Sequence, residues 1–277
     1  MFVIRPTGHT RLAAVIGKPV RHSLSPAIHN RAFEAADLNW SYVAFEVETG
    51  QGAAAVEAMR VLGIGGLSVT MPHKFDVVKA VDEKTTTVEA LDSCNCVFWR
   101  DGKLVGDSTD GDGFVRSLRL DDGIDIAGKR LAIVGTGGAA RSLIEAAGRH
   151  GADDIVVLSR SKHSAEAAAD LADCARAGTL SDVSSMDMVV NASPLGMAGG
   201  PGPAETPVPV DLLAEHHVVV DIVYNPRQTP LLVAARERSC KAVDGLGMLV
   251  HQAAIAFEHW TGVEAPLDVM RSTASTR

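Results

Sequence analysis

Leu131-Ala132-Ile133-Val134-Gly135-Thr136-Gly137-Gly138-Ala139-Ala140-Arg141 decides the fold. Four apolar residues run into G-x-G-x-x-A and then into a helix-forming stretch, which is the strand–turn–helix order of a dinucleotide-binding turn. Gly135 permits the tight turn, Gly137 lets a pyrophosphate approach the backbone, and Ala140 lets the helix pack close to the sheet. The helix start, through Gly138 and Ala139, would present free N–H groups and a positive dipole end to the phosphates. A purely structural turn is the alternative reading of the same residues.

The following strand, Ile155–Leu158, ends in Ser159-Arg160-Ser161-Lys162. An NAD-preferring site would place Asp or Glu there for the ribose 2′-hydroxyl. Arg160 can instead pair bidentately with a 2′-phosphate, and Lys162 adds charge. This predicts NADP rather than NAD; the bland alternative is a solvated arginine. The spacing Gly123…Gly128-Lys129 mimics a P-loop, but Arg130 stands where Ser or Thr would hold magnesium, and the stretch precedes a strand.

Outward from the turn, strands at Arg130–Val134, Ile155–Leu158, Met188–Asn191 and Val218–Asp221 alternate with helices at Ala139–Arg149 and Ser164–Leu171. Gly196–Pro209 reads as a loop. Met248–Trp260 reads as a long helix, with a shorter one at Leu267–Ser272. The first half alternates likewise: strands Leu12–Ile16, Tyr42–Phe45 and Gly66–Val69, helices Pro26–Ala36, Gly52–Leu62 and Lys74–Val81. Val97–Val105 then breaks the rhythm as a hairpin turning at Asp101-Gly102. Asp121-Asp122-Gly123 through Gly128-Lys129 reads as a boundary. The fold expected is two-domain α/β. Residues 1–112, completed by 247–277, form a substrate domain, and 113–246 a Rossmann-type domain.

The 277 residues suffice for two domains, and 46% hydrophobic with 22% charged residues exclude a disordered chain. A net charge of −8 argues against nucleic acid and anionic membrane as partners. No apolar run is long enough to span a bilayer, and the start lacks a signal-peptide stretch, so a cytoplasmic location is expected. Cys94, Cys96, Cys174 and Cys240 form no CxxC pair and read as reduced thiols. The ten histidines include no H-E-x-x-H or compact cluster, so no metal is expected. No G-x-S-x-G elbow marks a serine hydrolase.

Several polar residues stand out in the first half. Ser25 reads as the N-cap of a helix opened by Pro26, and Ser23 with Ser25 could face an anion there. Lys74 falls at a predicted helix start, where the dipole disfavours a cation; a misplaced charge hints at function, against the alternative of a surface lysine. Asp110, ahead of a helix at Gly113–Leu118, is either a cap or a functional acid. Asn95 lies among apolar residues and needs a partner. Met248 and Gln252 share a helix face.

Taken together these stretches resemble the shikimate dehydrogenase family. The matches are Ile16-Gly17-Lys18-Pro19, His22-Ser23-Leu24-Ser25-Pro26 with His29-Asn30, Val69-Thr70-Met71-Pro72-His73-Lys74, and Asp107-Ser108-Thr109-Asp110-Gly111. They continue with the glycine turn, Asn191-Ala192-Ser193-Pro194-Leu195-Gly196-Met197, Asp221-Ile222-Val223-Tyr224-Asn225-Pro226, Thr229-Pro230-Leu231-Leu232 and the segment from Gly247 to Gln252. The resemblance implies reversible, NADPH-dependent reduction of 3-dehydroshikimate to shikimate on the route to chorismate and the aromatic amino acids. It implies that Ser23 and Ser25 hold the carboxylate, and that Thr70, Asn95, Tyr224 and Gln252 surround the ring with the catalytic pair Lys74 and Asp110. Asn191 to Leu195, with Ala192 and Ser193 between them, Val223 and Met248 would line the nicotinamide region, and Gly245 would also bind the cofactor. The last helices would return to the substrate domain, and the protein would work as a monomer or homodimer. Family positions usually held by Asn, Thr or Arg read Ser108, Cys96, Ser159, Ser161 and Ser164. A quinate-type dehydrogenase using NAD is the alternative, with a non-catalytic ligand sensor behind it.

Overall fold

The computed structural model describes residues 6–276. The chain divides into two compact units, one made of residues up to Thr109 together with those from Val250 onward, the other of Asp110–Leu249.

In the first unit, β1 (Arg11–Gly17), α1 (Ser25–Ala35), β2 (Trp40–Glu46), α2 (Gly52–Leu62) and β3 (Gly66–Val69) follow the predicted alternation. Ala13 to Ile16 are buried throughout β1, as expected of a strand covered on both faces. β2 and β3 pair with it in parallel. After β4 (Glu83–Lys84) and α3 (Thr86–Leu91), which have no clear sequence signal, comes the expected hairpin of β5 (Cys96–Arg100) and β6 (Lys103–Asp107). Asp101 and Gly102 both take positive φ, 52° and 79°, as its tight turn requires. The mixed sheet runs β2-β1-β3-β5-β6-β4.

Two local expectations fail here. Ser25 is not the N-cap: Leu24 occupies that position without a side-chain cap, and Ser25 is already helical. The Ser23 hydroxyl accepts the Ser25 N–H at 3.2 Å instead, a short-range turn that takes over the capping task. No α-helix spans Lys74–Val81 either. Turns lead to a three-residue 3₁₀ segment at Val77–Lys79. A helix there would need the Lys74 carbonyl to accept from Val78, but that carbonyl is taken by the Cys94 N–H at 2.9 Å. The dipole argument for Lys74 therefore falls away.

The second unit opens with α4 (Asp110–Asp121), longer than predicted, so that Asp110 is helical rather than a cap ahead of the helix. The Gly-rich stretch 122–129 merely links α4 to β7 inside this unit; it is not the boundary. Then follow β7 (Arg130–Val134), α5 (Gly138–Arg149), β8 (Asp154–Leu158), α6 (Lys162–Ala169), β9 (Ala175–Ala177), β10 (Met188–Asn191), β11 (Val218–Asp221), α7 (Pro230–Glu237) and β12 (Lys241–Asp244). All pair in parallel, in the order β12-β11-β10-β7-β8-β9. This is the doubly wound order, and its direction reverses between β7 and β10. Alternate strand residues feed two cores. Leu131, Ile133, Ile155 and Val157 pack with α4, α5 and α6, while Ala132, Val156, Val189 and Val219 pack with α7. Burying one of these valine, leucine or isoleucine side chains contributes about 1.5–3 kcal/mol. α8 (Leu246–Thr261) begins in this unit and ends in the first, where α9 (Leu267–Ser275) packs on α1.

Candidate active site

In the second unit the glycine turn lies at the switch point. Gly135 has φ 122°, and a Cβ there would stand 2.7 Å from the Ala192 carbonyl oxygen. Only glycine lets the ends of β7 and β10 meet this closely. Gly137, the N-cap of α5, is the opposite case: an added Cβ would meet nothing within 4 Å. The open side of the turn, the bare backbone of Gly137 and Gly138, and a first turn of α5 without acidic residues form a cradle suited to a pyrophosphate. Ala140 is fully buried against the sheet.

At the end of β8, Ser159 Oγ accepts the Ser161 N–H at 3.2 Å. Ser161 caps α6 through the Ser164 N–H at 3.2 Å and accepts from the Ser164 hydroxyl at 3.0 Å. Arg160 and Lys162 are exposed, the latter 3.6 Å from Glu166. Residues 159–162 contain no carboxylate, so the chemistry fits a 2′-phosphate better than a free 2′-hydroxyl. The donor set of turn and basic strand end thus fits a bound NADP.

The β10 and β11 ends are held by a buried network. Asn191 donates to Asp221 Oδ1 at 2.9 Å and to the Leu195 carbonyl at 3.1 Å. Its Oδ1 accepts from the Ser193 N–H at 3.0 Å and the Ser193 hydroxyl at 2.6 Å. Asp221 also accepts from Thr229 Oγ1 at 2.6 Å and Val223 N–H at 3.1 Å. Burial pushes its carboxyl up, and these bonds pull the other way. Asn191 therefore spends its amide on the shape of the loop 192–195. Val223 and Met248 are buried, Tyr224 is partly buried with its phenol pushed up by burial, and a Cβ on Gly245 would lie 2.1 Å from the Ile222 carbonyl oxygen.

In the first unit the backbone gathers Thr70, Lys74 and Asn95. Thr70 donates its N–H to Ile16 at the end of β1, Val69 N–H donates to the Asn95 carbonyl at 2.7 Å, and Cys94 N–H donates to Lys74. Asn95 has the partner its apolar setting demands: Oδ1 accepts the Thr109 N–H at 2.7 Å and Nδ2 donates to Thr109 Oγ1 at 3.1 Å. Ser23 and Ser25 stand at the start of α1, and Gln252 is half-buried on α8. Asp110 is buried in the first turn of α4.

Three contributors escaped the sequence reading. Thr109 lay inside a quoted motif, and Asn95's need for a partner was its signal. His73 also lay inside one; its ring is fully buried. Asp107 accepts from Thr85 at 2.7 Å and lies 2.9 Å from His259 Nε2, a pairing of residues far apart in sequence with no local signal. Other histidines are structural. His29 stacks on Tyr42 at 4.4 Å, with burial holding it down to about 3, and His217 is bonded at both nitrogens. Among the described residues no group of three or more His, Cys, Asp or Glu could hold a metal. None of their helices is long and apolar enough to cross a membrane. The four cysteines are free, and burial pushes Cys94 up to about 12.

A doubly wound parallel sheet with a phosphate cradle at its switch point, on a chain that also builds a separate α/β unit, defines a two-unit dinucleotide-binding class. Family profiles narrow it. Residues 15–97 match the shikimate dehydrogenase substrate binding domain, residues 245–274 the shikimate 5′-dehydrogenase C-terminal domain, and residues 130–225 a coenzyme F420-dependent NADP oxidoreductase domain. A shikimate dehydrogenase (NADP(+)) of Alkaliphilus oremlandii is 40% identical, over 98% of each chain. A shikimate 5-dehydrogenase of Listeria monocytogenes, solved with shikimate and NAD, superposes with a TM-score of 0.89 at 35% identity over 98% of each chain. The shikimate 5-dehydrogenase of Thermus thermophilus, solved with NADP(H) and shikimate, gives 0.89 at 32%, over 96% of this chain and 99% of that one. The chain belongs to the shikimate dehydrogenase family.

Proposed function

We propose that this protein catalyses the reversible, NADPH-dependent reduction of 3-dehydroshikimate to shikimate. The observation that carries the reading is the full-length likeness to a relative named shikimate dehydrogenase (NADP(+)). The serine–arginine strand end at Ser159-Arg160-Ser161 favours NADP over NAD. The four free cysteines suit a reducing cytoplasm, where the enzyme would act as a monomer or homodimer.

Each residue has a chemical task in this proposal. Ser23 keeps a hydroxyl proton to offer a carboxylate, because its oxygen is the acceptor towards Ser25 N–H. Ser25 completes that carboxylate site. Thr70, Asn95, Tyr224 and Gln252 orient the ring hydroxyls. NADPH, when bound, supplies the hydride, and Thr136, Gly137, Gly138 and Ala139 hold its phosphates. As hydride reaches the ketone carbon, negative charge develops on oxygen and a proton must arrive. The Lys74 ammonium donates it, and the Asp110 carboxylate orients that ammonium and balances its charge. In the reverse direction the neutral amine accepts the hydroxyl proton. Turnover of shikimate with NADP⁺, followed through the reduced cofactor's absorbance, tests the proposal.

A further inference from the structure

Lys74 has no regular helix to hold it. It lies in a run of turns from Met71 to Asp76, and such a stretch is fixed only by the bonds it makes to its surroundings. The Lys74 carbonyl accepts from Cys94, and the His73 carbonyl accepts from the N–H groups of Asp76 and Val77 at 3.0 and 3.1 Å. The Met71 carbonyl accepts from the Lys18 N–H at 2.9 Å, just past β1. A further tether is a side chain. His73 is fully buried, and its Nε2 stands 3.0 Å from the carbonyl oxygen of Val47, just beyond β2. A carbonyl only accepts, so Nε2 carries the proton and donates. Nδ1 makes no hydrogen bond and lies 3.7 Å from Asp76 Oδ2. The start of α2 closes the far side. A Cβ added at Gly52 would stand 2.9 Å from the Asp76 Cβ and 3.1 Å from the His73 Cβ. Val47 is itself anchored, its N–H donating to Gly17 at the end of β1 at 3.2 Å.

We propose that His73 is a positioning residue for Lys74: its Nε2–H bond to Val47 fixes the turn from which the ammonium reaches the substrate. The inference rests on the reading of Lys74 as proton donor. A lysine has a long flexible stem, so where its ammonium stands depends on how firmly its Cα is held. Misplacing a reacting group by 1 Å can cost about 100-fold in rate. His73 itself touches neither substrate nor cofactor in this scheme.

The test compares kcat, KM for 3-dehydroshikimate and Tm for Lys74→Ala, His73→Leu, His73→Gln and Gly52→Ala. Leucine keeps the bulk and removes the donor; glutamine returns an N–H near the position of Nε2. Lys74→Ala should lose about 10²–10⁴-fold in kcat. His73→Leu should lose roughly 10- to 100-fold in kcat with KM near that of the wild type. His73→Gln should recover most of that loss. Gly52→Ala, which removes no polar group, should lower kcat by crowding His73. Wild-type kcat in His73→Leu beside a crippled Lys74→Ala overturns the inference and leaves Lys74's role standing. Equal losses in the leucine and glutamine variants overturn it too, since they would report packing alone. Wild-type kcat in Lys74→Ala removes the proton-donor reading itself. If His73→Leu does not fold, His73→Met takes its place, keeping bulk without a donor, and is read against His73→Gln in the same way.

Discussion

The Asn95 carboxamide holds Thr109 at both its backbone and its side chain: Oδ1 accepts the backbone N–H at 2.7 Å and lies 3.3 Å from the hydroxyl, and Nδ2 donates to the hydroxyl at 3.1 Å. Both residues are buried, so each bond is shielded from water. The Asn95 backbone meanwhile bridges β3 and the end of β6, accepting from Val69 and donating to Asp107. Thr109→Val keeps the N–H bond and removes the hydroxyl, leaving Asn95 Nδ2 short of one acceptor. Stability should fall by about 1–3 kcal/mol, with kcat/KM for shikimate lowered and KM for NADP⁺ unchanged. Urea denaturation and steady-state kinetics read both, and an unaltered midpoint would mean the side-chain bond contributes nothing.

Two glycine-to-alanine changes should part company. At Gly245 the new Cβ would collide with backbone at Ile222, 2.1 Å away, and Tm should drop with loss of cofactor affinity. At Gly137 nothing lies within 4 Å, so Tm should hold while KM for NADP⁺ rises. A Gly137→Ala enzyme with unchanged cofactor KM would show that the turn is only structural.

Arg160→Ala should raise KM for NADP⁺ by about 10- to 100-fold, the effect of losing a charge-assisted contact. KM for shikimate and for NAD⁺ should barely move, because neither carries a 2′-phosphate. Equal losses with both cofactors would assign Arg160 to general folding instead.

Asp107 gives the fold a pH signature. Burial raises its carboxyl, but bonds from His259, Thr85 and the Ser108 N–H outweigh it and hold the group below the usual carboxylate range. A folded-state value below the unfolded ~3.9 contributes stability above that pH and loses it as pH falls through the folded value. Thermal melts from neutral pH down to about 3 should therefore show Asp107→Asn less stable than wild type at neutral pH, with the gap closing under acid. A gap constant with pH would contradict the assignment.

The second unit was largely legible in the sequence. Arg130–Val134, Met188–Asn191 and Val218–Asp221 are dense apolar runs, and the glycine turn names its own neighbours. Short pieces such as Ala175–Ala177 and Lys241–Asp244 lack enough residues to show a period. The turn bearing Lys74 misled for a different reason. Its apolar spacing suits a helix, yet the Cys94 N–H claims the Lys74 carbonyl that a helix would use, and the buried His73 ring bonds to the Val47 carbonyl instead of facing along a helix. Asn95 announced its need for a partner but not which residue would meet it. Asp107 and His259 lie too far apart for any local pattern to join them.

The central claim meets its most direct test in initial rates of the purified protein with shikimate or quinate, each offered with NADP⁺ and with NAD⁺. Reduction of NADP⁺ by shikimate should give the highest kcat/KM of the four combinations. A clear preference for quinate or for NAD⁺, or no turnover with any pair, would contradict the account.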